Sequence, residues 1–92
     1  MRVVCVWKEN ADYSREMADW LESFQRRTNR EIESVDPESR DGSNFAGIYD
    51  VVEYPTLLAL ADDGRVLEAW RGMPLPRIDE VSYFAAERRS DI

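Results

Sequence analysis

Cys5 is the only cysteine in the chain, and histidine is absent. A single thiol cannot close an intramolecular disulfide, and both cysteine–histidine zinc sites and histidine-based triads are excluded. Cys5 lies inside Val3-Val4-Cys5-Val6, a setting in which cysteine behaves as a small buried apolar group. What remains for chemistry is carboxylates, hydroxyls and aromatic rings. Asp62-Asp63 and Asp79-Glu80 are adjacent carboxylate pairs. The first belongs to a turn-forming Asp-Asp-Gly-Arg stretch. The second falls where a helix should begin, and acids there complement the positive end of the dipole. Both pairs read as structural, and no cysteine or histidine is available to complete a tight transition-metal site. No catalytic residue, metal ligand or cofactor is assigned on these grounds.

The charge balance narrows the partners. Nineteen acids against twelve bases give a net charge of −7, which argues against a phosphate-binding surface and hence against nucleic acid. Arg26-Arg27 and Arg88-Arg89 are isolated pairs that read as solvated helix ends. With 43% apolar and 11% aromatic residues over 92 positions, the chain should form one globular domain over residues 1–92. Its core is expected to run from 1 to 88, with a disordered tail at 89–92. No apolar run approaches the roughly 20 residues that span a bilayer, so no membrane association is expected. The stretch Met1–Trp7 is short for the apolar part of a signal peptide and Lys8-Glu9-Asn10 follows it; a cytoplasmic location is the expectation.

The elements that would position these groups are legible from periodicity. Val3–Trp7 is a continuous apolar run, the pattern of a strand buried on both faces. Met17, Trp20, Leu21 and Phe24 recur at i, i+3, i+4 and i+7, the stripe of an amphipathic helix, with Asn10 or Asp12 as its N-cap and fraying near Thr28-Asn29. Glu31–Val35 alternates with period two and reads as a strand with one wet face, near an edge. Asp36-Pro37 should cap and open a second helix, with Phe45, Ile48 and Tyr49 on its inner face. Thr56–Ala61 is a second buried strand. Asp62-Asp63-Gly64-Arg65 is a hairpin turn, and Val66–Trp70 returns. Pro76 opens a last helix with Ile78, Val81, Phe84 and Ala85 inward. The order is β-α-β-α-β-β-α, with a parallel right-handed first unit and an antiparallel last pair.

Two segments carry a resemblance. Val51-Val52-Glu53-Tyr54-Pro55-Thr56-Leu57-Leu58-Ala59-Leu60, then Asp63-Gly64-Arg65-Val66 and Gly72, resembles the C-terminal half of thioredoxins. Val4-Cys5-Val6-Trp7-Lys8-Glu9-Asn10-Ala11-Asp12-Tyr13-Ser14-Arg15 resembles the strand, loop and helix start of glutaredoxin- and thioredoxin-like proteins. The likeness spans residues 2–88 and implies an α/β thioredoxin-like fold, a mixed four-stranded sheet with helices on both faces. It also implies a cis bond before Pro55, leaving the backbone of Tyr54 free to pair with an extended peptide or with glutathione.

The departure from that family is chemical. By that resemblance Ala11 and Ser14 occupy the two positions of the Cys-x-x-Cys motif, and dithiol exchange needs a thiolate there. The expected function is therefore a redox-inactive module binding an unidentified protein or peptide. Its surface would comprise Ala11, Asp12, Tyr13 and Ser14, with Tyr54 and Pro55 opposite and Gly72 and Met73 on a neighbouring loop. One alternative is a glutathione-binding or thiol–disulfide-exchange-related enzyme of atypical design, in which Ser14 donates a hydrogen bond to a bound thiolate. Another is a regulatory interaction protein that uses a different face.

Overall fold

The computed structural model describes residues 1–85; the tail expected at 89–92, and the end of the core expected to reach 88, lie outside the described residues. The elements are β1 (Arg2–Val6), α1 (Ser14–Thr28), β2 (Glu33–Val35), α2 (Arg40–Ile48), β3 (Thr56–Leu60), β4 (Val66–Arg71) and α3 (Ile78–Ala85). One mixed sheet runs in the order β2-β1-β3-β4. β1 pairs parallel to β2 and antiparallel to β3, and β4 returns antiparallel on β3.

The central strands β1 and β3 are apolar from Val3 to Val6 and from Leu57 to Leu60 because each buries both faces there. Val3, Cys5, Leu57 and Ala59 project to one side, where Met17 and Phe24 of α1 and Val81 of α3 cover them. Val4, Val6, Leu58 and Leu60 project to the other side, against Ala46 of α2 and Val51. Full burial of each such Leu or Val contributes about 1.5–3 kcal/mol. Trp20 stacks on Phe24 at 5.4 Å, and its indole Nε1 donates to the Pro76 carbonyl at 2.9 Å, tying α1 to the entry of α3. In the hairpin turn Gly64 takes φ +90°, and its N–H donates to the Ala61 carbonyl. Among the described residues no helix is long and apolar enough to cross a membrane.

Several local expectations are corrected. The N-cap of α1 is Tyr13, which makes no side-chain cap bond, rather than Asn10 or Asp12. The N-cap of α2 is Ser39, whose Oγ accepts from the Gly42 N–H, so the helix begins later than the Asp36-Pro37 signal suggests. Asp36 instead closes a local turn, its Oδ1 accepting from the Glu38 N–H. This start puts Gly42, Phe45, Ala46 and Tyr49 on the sheet side of α2 and leaves Ile48 75% exposed. β2 is shorter than expected. Ile32 and Val35, an odd number of residues apart, pack on opposite sides of the sheet, so Glu31–Val35 is not a strand with one wet face.

Candidate binding face around Tyr54 and Pro55

The loop between β1 and α1 is fastened at each end. The Trp7 N–H donates to the Val35 carbonyl, extending the β1–β2 pairing by one residue. The Lys8 N–H donates to the Tyr13 hydroxyl at 2.9 Å. Ser14 Oγ donates to the Lys8 carbonyl at 2.6 Å and accepts from the Ala11 N–H at 2.7 Å. The Ser14 N–H donates to the Ala11 carbonyl. A serine hydroxyl has one proton, and here the Lys8 carbonyl holds it. Donation from Ser14 to a bound thiolate would first require that bond to break. Tyr13 is likewise committed to the fold, since its ring packs against the α1/α3 core. Asp12 is exposed at the tip of the loop and Ala11 is half-buried.

Across from this loop the Tyr54-Pro55 peptide bond is cis. Thr56 is buried, and its Oγ1 donates to the Glu53 carbonyl at 2.6 Å, pinning the chain as it enters β3. The Pro55 carbonyl accepts from the Gly72 N–H at 2.8 Å, bringing the end of β4 beside it. Gly72 has φ +74°, and the Glu53 carboxylate occupies the space where a Cβ would project, 2.8 Å away. Met73 follows, 41% exposed, and the Met73-Pro74 bond is also cis. The N–H and C=O of Tyr54 make no hydrogen bond among the described residues. Buried or half-buried backbone groups are normally paired, so this free donor and acceptor are the most informative feature of the loop.

Lys8 joins the two sides. Its backbone holds Tyr13 and Ser14, while its ammonium lies 5.2 Å from the centroid of the Tyr54 ring and 3.7 Å from Glu38 Oε2. The structure therefore connects the segment containing Ala11–Ser14, Tyr54-Pro55 and Gly72 by short contacts, with Lys8 as the residue that sequence reasoning missed. Val52, 85% exposed, was missed as well. The end of α2 explains it. Asp50 takes φ +56°, the Val51 N–H donates to the Ala46 carbonyl and the Asp50 N–H to the Gly47 carbonyl. This Schellman turn drives Val51 into the core and Val52 out of it. In sequence the two valines are indistinguishable.

Cys5 does not contribute to this face. It is fully buried in β1, and its Sγ donates to Met17 Sδ at 3.7 Å. Burial pushes its thiol up to about 12, the opposite of what a reactive thiolate requires.

No protein-family model matches the chain, and no curated protein matches it. Among solved structures, thioredoxin 1 from the thermophilic eubacterium Thermosipho africanus TCF52B is similar over 91% of this chain and 89% of its own, with a TM-score of 0.64 at 14% sequence identity. The fold is thus thioredoxin-like, and the chain carries no Cys-x-x-Cys pair.

Proposed function

On this thioredoxin-like frame we propose a protein-binding module that captures an extended peptide segment across the Tyr54-Pro55 face and performs no thiol–disulfide exchange. The observation that carries the reading is that the N–H and C=O of Tyr54 have no hydrogen-bond partner among the described residues. A strand-like segment laid beside that residue gains main-chain hydrogen bonds, and neighbouring side chains supply selectivity. Exposed Val52 and Met73 and the half-buried Tyr54 ring provide apolar contact next to those bonds. Against exchange chemistry stands the single thiol, buried in a strand and raised to about 12.

The test is affinity capture from source-cell lysate with the wild-type chain and with Val52→Glu/Tyr54→Glu, after circular dichroism has shown the variant to be folded. Tyr13 is left intact because its hydroxyl holds the loop. Partners lost only from the variant support the reading; partners retained by both refute it and move the functional surface to another face. A disulfide-reduction assay with insulin as substrate should show no rate above background.

A further inference from the structure

We infer that the segment captured at this face is cationic: an extended basic peptide whose lysine or arginine takes the position now held by the Lys8 ammonium over the Tyr54 ring. The inference rests on the peptide-binding reading above and names the chemistry of the partner. Its first support is the cation seat itself. The Tyr54 ring and the Glu38 carboxylate hold one ammonium between them, at 5.2 and 3.7 Å, the pairing of aromatic face and anion that selects cations. Lys8 and Glu38 side chains are 35% and 65% exposed, so this ammonium can swing into water without stranding a buried charge.

The second support is the charge of the surrounding loops. Residues 7–14, 49–55 and 71–73 carry Glu9, Asp12, Asp50 and Glu53 against Lys8 and Arg71. Glu38 already takes up Lys8, and the Glu53 carboxylate lies directly against Gly72, beside the Pro55 carbonyl. An anionic segment approaching Tyr54 would meet like charge on several sides, whereas a basic one is drawn in by the local field and by the net charge of −7. Val52 and Met73 would then receive aliphatic side chains that alternate with the basic ones along an extended chain.

The experiment titrates the ¹⁵N-labelled full chain with three synthetic peptides of matched valine, leucine and tyrosine content, bearing lysine and arginine, glutamine and serine, or glutamate and aspartate. The basic peptide should shift the amides of Lys8, Glu53, Tyr54 and Gly72 and bind about tenfold more tightly than the acidic one, less so at high salt. Glu53→Gln should weaken it about two- to fivefold. Lys8→Met keeps the backbone groups that hold Tyr13 and Ser14 while vacating the seat, and should tighten it about two- to fivefold. Equal binding of the neutral or acidic peptide at the same amides overturns the inference, as does weaker binding by Lys8→Met; both leave the peptide-binding reading standing. If the basic peptide shifts only amides elsewhere, the cationic seat is refuted. If none of the three peptides moves these amides at millimolar concentration, the peptide-binding reading falls and the inference falls with it.

Discussion

Introducing a cysteine pair at Ala11 and Ser14 tests whether these positions have the geometry that the resemblance assigns to them. Ala11 and Ser14 are the ends of a tight turn, with the Ser14 N–H donating to the Ala11 carbonyl at 3.1 Å. A turn of that kind holds its end Cα atoms within about 7 Å, near the upper limit for a disulfide. The double substitution Ala11→Cys/Ser14→Cys should therefore form an intramolecular disulfide. Two opposing magnitudes follow. Closing a four-residue loop stabilises the oxidised form by about 2 kcal/mol over the reduced form. Loss of the Ser14 hydroxyl removes the bonds to the Lys8 carbonyl and the Ala11 N–H, at about 1–3 kcal/mol. The oxidised variant should melt near the wild type, and the reduced variant about 8–16 °C below the oxidised one. The thiol at position 11 would precede α1 by a short turn, where the helix N-terminus lowers a thiol pKa to about 4–7. Mass spectrometry after mild oxidation, thermal melts in both redox states and an insulin-reduction assay read these outcomes. A folded variant that retains both introduced thiols free after oxidation would refute the placement of Ala11 and Ser14 at the motif positions.

The native thiol should behave in the opposite way. Cys5 should resist a soluble alkylating reagent until the chain unfolds. Because its thiol is raised from 9.0 to about 12 in the folded chain, ionisation favours the unfolded state once pH exceeds 9.0. Its contribution to stability is full below that value and lost as pH rises toward about 12, so urea midpoints at about pH 7 and about pH 10 should differ more for wild type than for Cys5→Ala. Gly72→Ala should destabilise by about 1–2 kcal/mol, through the positive φ rather than through Glu53, whose carboxylate can swing aside; an unchanged urea midpoint would refute that backbone requirement. Asp50→Gly should stabilise by about 0.5–1 kcal/mol, the left-handed cost removed less the entropy that glycine adds to the unfolded chain. A lowered melting temperature there would show that the aspartate side chain contributes more than its φ costs.

The fold was legible in the sequence where burial is two-sided or periodic. Val3–Val6 and Thr56–Leu60 are apolar at every position but Thr56, because both are central strands, and Met17-Trp20-Leu21-Phe24 can only be a helix face. Helix starts were less legible, because Asp36 and Ser39 are both good cap residues and only the tertiary register selects Ser39. The α1 start had no side-chain signal at all, since Tyr13 caps it without a side-chain bond. Ile48 faces water because the helix is registered from Ser39 rather than Asp36, and Val52 faces water because of a handedness change at Asp50, a residue that tolerates positive φ without advertising it. Tyr54-Pro55, Gly72 and Met73 could be placed together only through family resemblance. Lys8 could not be found even so, because a lysine after a strand carries no signal until its ring and carboxylate partners are known.

That distribution has a physical consequence for the face itself. Neither Ala11 nor Ser14 belongs to the core on either side of the sheet. Ser14 acts through two loop hydrogen bonds. The backbone arrangement around Tyr54 is held by different groups: the Gly72 N–H on the Pro55 carbonyl, and Thr56 Oγ1 on the Glu53 carbonyl. Substitution at positions 11 and 14 can therefore alter what the loop does chemically while leaving the opposite loop in place. Interactions among groups with no shared partners are close to additive. The two loops meet through Lys8, whose half-buried side chain lies over Tyr54 while its carbonyl accepts from Ser14 Oγ. Gly72 shares no partner with Ala11 or Ser14, so the cysteine-pair variant and Gly72→Ala should combine without coupling in stability, and a coupling above about 0.5 kcal/mol in a double-mutant cycle would show that the two halves of the face are one cooperative unit after all.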